Sequence, residues 1–135
     1  MKRDPRLRAL SSDHHRALVM ARRIERASET EVIDPAVLSE IEAFYQDELL
    51  PHFKWEEEIL LPPLEGRGEH ELVMQTLREH RQMVDLAPRL NEREVLAQFA
   101  QLLKQHVRFE EQQLLEVAQT RLSGAELGAV AGTSR

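Results

Sequence analysis

Apolar residues recur every three or four positions along most of the chain, separated by Glu, Arg, Lys, Gln and Ala. This spacing places apolar side chains on one face of an α-helix, and these residue types favour helix. Prolines, glycines and capping residues divide the pattern into four stretches of similar length. We therefore predict an all-α protein, an up-down-up-down four-helix bundle with a short C-terminal extra turn.

Capping residues set most of the expected helix boundaries. The first helix should begin with Ser11 or Ser12 as its N-cap, with Asp4-Pro5 as an alternative cap for an extra turn before it. Asn91, with Glu94 three residues later, fits a capping box for the fourth helix. The helices expected from these signals cover about residues 11–27, 35–61, 69–86 and 92–121.

Prolines and a further cap mark the other boundaries. Asp34-Pro35 should open the second helix, and Pro62-Pro63 should stop it. Pro51 lies within this helix, as either a tolerated bend or a kink that aims the next residue, a histidine. Ser123 should cap a last short turn. We expect one domain over residues 1–135, with a core at about 10–122, an N-terminal arm at 1–9 and a tail at 123–135.

Two ten-residue stretches, 54 residues apart, are near copies of each other. Residues 52–61 are HFKWEEEILL and residues 106–115 are HVRFEEQQLL, with five identical positions. Each copy places a histidine four residues before a glutamate, which stacks His52 on Glu56 and His106 on Glu110 on one helix face. Because that face is otherwise apolar, burying these pairs is costly unless a metal ion binds them.

The six histidines divide into two groups by helical position. His15 and His70 fall outside the apolar faces. On the third helix, the predicted apolar stripe also includes Val84. A single histidine in a core is usually structural, but one on every helix favours a metal site. The four that share an apolar face, one per helix, are His14, His52, His80 and His106.

Imidazoles and carboxylates together form a ligand set for iron, manganese or zinc, whereas calcium and magnesium prefer oxygen. Four histidines and two glutamates exceed what one tetrahedral zinc needs. They suit two metal ions, each with two imidazoles, with Glu56 and Glu110 bridging. Vacant positions on such ions accept oxygen, nitric oxide or peroxide. Because the two carboxylates repel each other, we expect a raised carboxyl pKa in the metal-free protein.

Four other polar residues near this face keep alternative interpretations. Glu48, one turn before His52, is a further ligand, an acceptor for a histidine N–H or a half-exposed carboxylate. Tyr45, the single tyrosine, packs in the core or approaches the metals. Glu57 and Glu111 lie five residues after their histidines, and they face solvent, accept a hydrogen bond near the site or reach a metal.

Composition narrows the classes of function. With 24 acidic and 18 basic residues, the net charge of -6 argues against nucleic acid as a partner. The absence of cysteine excludes disulfide scaffolds, zinc ribbons, iron–sulfur clusters and thiol catalysis. No apolar run reaches the roughly 18 residues of a membrane span, and no signal-peptide core is present. We expect no membrane partner and a cytoplasmic location.

These residues resemble the hemerythrin-like HHE cation-binding family over about residues 10–122. The matching segments are Asp13-His14, His52 to Glu56, Glu79-His80 and His106 to Glu110. The resemblance implies a non-haem di-iron centre, with zinc or manganese as substitutes. It also implies a role in binding or sensing oxygen or nitric oxide, or in iron handling.

One departure from the family separates this chain from oxygen carriers. Those members use two histidines one turn apart in the third helix, whereas Thr76 and Val84 lie one turn on either side of His80. Three classes of function stay open. They are a metal-binding sensor or storage domain, a small di-iron enzyme that reduces peroxide or nitric oxide, and a metal-free helical interaction module. A homodimer is compatible with each.

Overall fold

A computed structural model describes residues 2–132, and all regular structure in that range is helical. The described residues form five helices and no strand, which confirms the predicted all-α class. They are α1 (Arg8–Ser28), α2 (residues 35–66), α3 (His70–Leu86), α4 (residues 93–121) and α5 (Gly124–Gly132). Within the described range, no helix is both long and apolar enough to cross a membrane.

Helices α2 and α4 contain π-helical turns, in which an N–H group bonds to the carbonyl five residues earlier. Helix α2 runs through Pro35–Phe44, Tyr45–Leu49 (π), Leu50–Trp55, Glu56–Leu60 (π) and Leu61–Gly66. Helix α4 runs through Arg93–Phe109, Glu110–Leu114 (π) and Leu115–Arg121. Both long helices therefore change their winding part of the way along.

The interior prolines of α2 follow its π turns. The N–H of Leu50, just before Pro51, donates to the carbonyl of Tyr45. The same arrangement precedes Pro62, where the N–H of Leu61 donates to the carbonyl of Glu56. A wider turn relieves the clash between a proline ring and the carbonyl four residues earlier. The prediction that Pro62-Pro63 end this helix is wrong, because the helix continues through Leu61–Gly66.

Helix α1 begins earlier than Ser11 or Ser12, so that predicted start is wrong. Asp4 is the cap of a 3₁₀ turn at Pro5–Leu7, and its Oδ1 accepts the N–H of Arg6 at 2.8 Å. The extra turns bury Leu7 completely, and this burial outweighs the local capping preference of the serines. The alternative cap at Asp4-Pro5 is therefore confirmed.

The other caps give mixed results. Asp34 accepts the N–H of Ala36 at 2.9 Å, as predicted. Ser123 and Glu126 form a reciprocal capping box, which opens a helix of nine residues rather than one turn. The predicted cap at Asn91 is wrong, because α4 begins at Arg93 without a side-chain cap. The C-terminal residues 133–135 of the predicted tail lie outside the described part.

The apolar core consists of two clusters. The boundary between them lies at Phe53 and Trp55 in α2, and at Val107 and Phe109 in α4, where the first of each pair belongs to one cluster and the second to the other. The predicted core position of Val84 is wrong, since it is 40% exposed on the outer face of α3. The two H-x-x-x-E motifs lie at the boundary between the clusters.

The buried position of Leu7 predicts that the first turn is part of the folded core. Changing Leu7, which is fully buried, to alanine should lower the free energy of unfolding by about 2–5 kcal/mol. The same change to alanine at Val32, which is 78% exposed, should alter the free energy of unfolding by less than about 0.5 kcal/mol. Urea unfolding of the wild type and both variants measures these differences in the free energy of unfolding. Equal, small effects would show that this turn is dispensable.

Candidate metal centre

Six buried polar side chains meet at the boundary between the two apolar clusters, and each of α1 to α4 supplies at least one. They are His14, His52, Glu56, His80, His106 and Glu110, each at most 5% exposed. The structure thus brings together all six side chains predicted from helix periodicity, while their coordination of metal stays a prediction. His15 and His70 are exposed, as expected from their positions.

The six side chains form two overlapping groups of possible ligands. The first consists of His14, His52, Glu56 and Glu110, and the second of Glu56, His80, His106 and Glu110. Within each group the ligand atoms lie within 4.8 Å of one another. Both glutamates belong to both groups, because each carboxylate has two oxygens. Each group is a buried cluster of the kind that holds a transition-metal ion.

Four atoms in this cluster lack a hydrogen-bond partner within the described residues. They are His52 Nε2, Glu56 Oε2, His106 Nε2 and Glu110 Oε2. The two atoms of the His52–Glu56 pair lie 3.3 Å apart, and those of the His106–Glu110 pair lie 3.1 Å apart, without hydrogen-bond geometry. Unpaired buried polar atoms are costly, and coordination of a metal ion satisfies all four. The donor set therefore fits a metal.

The outward-facing Nδ1 atom of each histidine meets a second carboxylate. The partners are Asp13 for His52 at 3.0 Å, Glu57 for His80 at 2.7 Å, Glu79 for His106 at 2.7 Å and Glu111 for His14 at 2.6 Å. These contacts run from α1 to α2, α3, α4 and back to α1. We call these four carboxylates the outer ring. A carboxylate at this nitrogen fixes the orientation of the imidazole and raises its basicity.

The outer ring was only partly predictable. Of the three roles left open for Glu57 and Glu111, both take that of an acceptor near the site. The roles of Asp13 and Glu79 were missed, although an acidic neighbour beside each predicted ligand was a signal for them. Each of these carboxylates bonds to a histidine on a different helix, and helix packing decides that pairing.

The local winding of the helices places consecutive glutamates on different histidines. Glu56 and Glu110 are the first residues of their π-helical segments. Both are fully buried in the cluster, whereas Glu57 and Glu111 lie further out in the outer ring. Single π turns within α-helices are frequent at functional sites. Here they coincide with the two possible bridging ligands.

Neighbouring carboxylates raise the pKa values of His14, His52 and His106 against the effect of burial. Burial lowers the pKa of His14, but its hydrogen bonds with Glu110 and Glu111 outweigh burial and raise the pKa to about 9. Burial acts in the same direction on His106, and the charge of Glu110 raises its pKa to about 10. Burial alone raises the pKa of Glu110, but the charge of His106 holds it well below its usual range. The expected rise from carboxylate repulsion is therefore wrong for Glu110.

Exposure and contacts resolve the alternatives for Glu48. The side chain of Glu48 is 46% exposed and lies 3.1 Å from the guanidinium of Arg16, so it is the half-exposed carboxylate. Tyr45 is buried in the core, with its ring edge-on to that of Phe99 at 6.0 Å between centroids.

Thr76 is buried one turn before His80, and its hydroxyl donates to the carbonyl of Leu72 at 2.8 Å.

A cavity of about 20 Å³ adjoins one side of the cluster. The imidazoles of His14, His52 and His106 line it, and this volume suits one water-sized molecule. Its remaining buried walls are apolar and consist of Ala17, Phe44, Leu49, Phe53, Leu103 and Val107. The cluster thus has a small apolar space beside it for a ligand of very few atoms.

The all-helical fold and the buried imidazole–carboxylate groups define a helical cation-binding domain. The sequence model of the Hemerythrin HHE cation binding domain matches residues 6–118. Since the match covers most of the chain, the protein belongs to this family, which confirms the resemblance of its motifs. Comparisons with curated proteins and with solved structures give no significant match.

The raised histidine pKa values predict how the stability of the metal-free protein depends on pH. Protonation of His14 and His106 favours the folded state fully below about pH 6.5, their ordinary pKa. That stabilisation is lost as the pH rises through about 9 and about 10. Melting temperatures of the metal-free protein should therefore fall between pH 7 and pH 10. A flat profile over this interval would contradict the prediction, and a His106→Gln variant should show a weaker slope.

Proposed function

We propose that this protein is a single-domain, non-haem di-iron protein that binds oxygen, nitric oxide or a related oxo ligand, for sensing or for iron handling. In this proposal α1 to α4 alternate in direction as an up-down-up-down bundle. The metal ligands are His14, His52, Glu56, His80, His106 and Glu110. One observation carries the proposal: both glutamates belong to both groups of ligand atoms, as bridging of two ions requires.

Bound iron would supply a redox-active centre with vacant positions for a small ligand. The protein's own groups hold and orient this centre. The four imidazoles provide nitrogen ligands, and the outer ring fixes their orientation through Nδ1. The raised pKa values of His14 and His106 favour a second ring proton on each in the metal-free state, and metal binding must displace that proton. The apolar cavity walls limit the access of water.

The metal content of the protein tests the proposal directly. Protein expressed with iron and purified without oxygen should contain about two iron ions per chain. Oxidation should then produce charge-transfer absorption in the near ultraviolet. A variant with both Glu56→Leu and Glu110→Leu should lose both signals. Metal content near zero in the wild type would contradict the proposal and favour the metal-free interaction module.

The neighbouring histidines of α1 provide a matched pair of variants. His14 is buried in the cluster, whereas His15 is exposed. Changing His14 to alanine should weaken metal binding by at least the roughly 10–100-fold that loss of a partner near the metal costs. The same change at His15 should leave metal binding nearly intact. Elemental analysis of both variants measures their metal content. Loss of metal in the His15 variant but not in the His14 variant would refute the proposed ligand set.

A further inference from the structure

The cavity beside the cluster is open to solvent at one side only, as the exposure of its lining residues shows. Of those residues, Arg16 and Glu48 are exposed, with side chains that are 58% and 46% accessible. The side chain of Asp13 is 13% exposed, and every other residue of the lining is buried. Arg16 and Glu48 therefore lie at the mouth of the cavity.

An ion pair crosses this mouth from α1 to α2. The Arg16 guanidinium lies 3.1 Å from a carboxylate oxygen of Glu48 on α2, and 3.2 Å from Asp13 on its own helix. Asp13 in turn accepts from Nδ1 of His52 through its other oxygen, at 3.0 Å. Arg16 can therefore release Glu48 while Asp13 still holds it, and the contact with His52 need not change.

We propose that the Arg16–Glu48 ion pair is the gate through which a small molecule reaches the cavity and the metal centre. This inference rests on the proposed function. An exposed ion pair contributes little free energy, and exposed side chains change rotamer within nanoseconds, so this pair opens readily. The cavity of about 20 Å³, whose buried walls are apolar apart from three imidazoles, suits one small uncharged molecule of about the size of water.

The chain offers a matched control for this gate. Arg23 and Glu40 also join α1 to α2, at 2.6 Å, with side chains 45% and 51% exposed. Neither residue lines the cavity. Arg16→Ala and Glu48→Gln break the pair at the mouth, whereas Arg23→Ala breaks a comparable pair about two helical turns away.

The experiment measures nitric oxide binding to the iron-loaded proteins by stopped-flow absorption. In Arg16→Ala and Glu48→Gln, association and dissociation should both become about fivefold faster, because the pair holds the mouth closed only weakly. In Glu48→Gln, which leaves the contact of Arg16 with Asp13 in place, the dissociation constant should stay unchanged, since a gate alters both rates equally. Arg23→Ala should bind like the wild type. Azide should also enter faster in Arg16→Ala, although this variant loses a positive charge at the mouth.

Several outcomes overturn the gate. Unchanged rates, an equal acceleration in Arg23→Ala or an altered dissociation constant for nitric oxide in Glu48→Gln each contradict it. Slower entry of azide alone in Arg16→Ala shows electrostatic attraction instead. Failure of the wild type to load iron is a different result, because it refutes the proposed function and leaves the gate to be tested in the metal-free protein.

Trp55, the single tryptophan, provides that test. The centroid of its ring lies 6.0 Å from the ring centroid of His52, and His52 lines the cavity. Dissolved oxygen should quench the fluorescence of Trp55 faster in metal-free Arg16→Ala than in the wild type or in Arg23→Ala. Equal quenching in all three proteins, with equal melting temperatures, would refute the gate without any reference to iron.

Discussion

The structure depends on keeping six ionisable side chains inside an apolar core. Burial opposes charge on each of them, and the protein offsets this by pairing every imidazole with carboxylates on both of its nitrogen atoms. The pairing is incomplete at the centre, where four atoms face one another without hydrogen bonds. The rest of the bundle is arranged around this polar layer, with one apolar cluster on either side of it.

The outer ring connects the helices through their histidines. Since each of its carboxylates bonds to a histidine on a neighbouring helix, a small rotation of one helix disturbs two contacts at once. Helix register is thereby tied to the orientation of the four imidazoles. Arg16 adds to this connection, because it contacts Asp13 of the ring and also the mouth of the cavity.

Periodicity predicted the positions of the six central residues because a buried helix face is a local property of the sequence. Capping and proline signals failed at Ser11, where burial of Leu7 extends the helix, and at Pro62, where a π turn accommodates the ring. Periodicity also could not assign Asp13 or Glu79 to a histidine, since those contacts depend on which helices lie side by side. Local pattern thus predicts which side chains face inward, whereas packing decides their partners.

The outer ring has a consequence for how the chain is built. Exchanging α1 and α2 with α3 and α4 maps the Asp13–His52 contact onto Glu79–His106, and the Glu57–His80 contact onto Glu111–His14. Each half carries an acid-histidine pair on one helix and the repeated motif on the next. The contacts of the outer ring therefore repeat between the two halves of the chain, as the two H-x-x-x-E motifs do. Each of the two groups of possible metal-binding side chains draws on both halves, so neither half forms either group by itself.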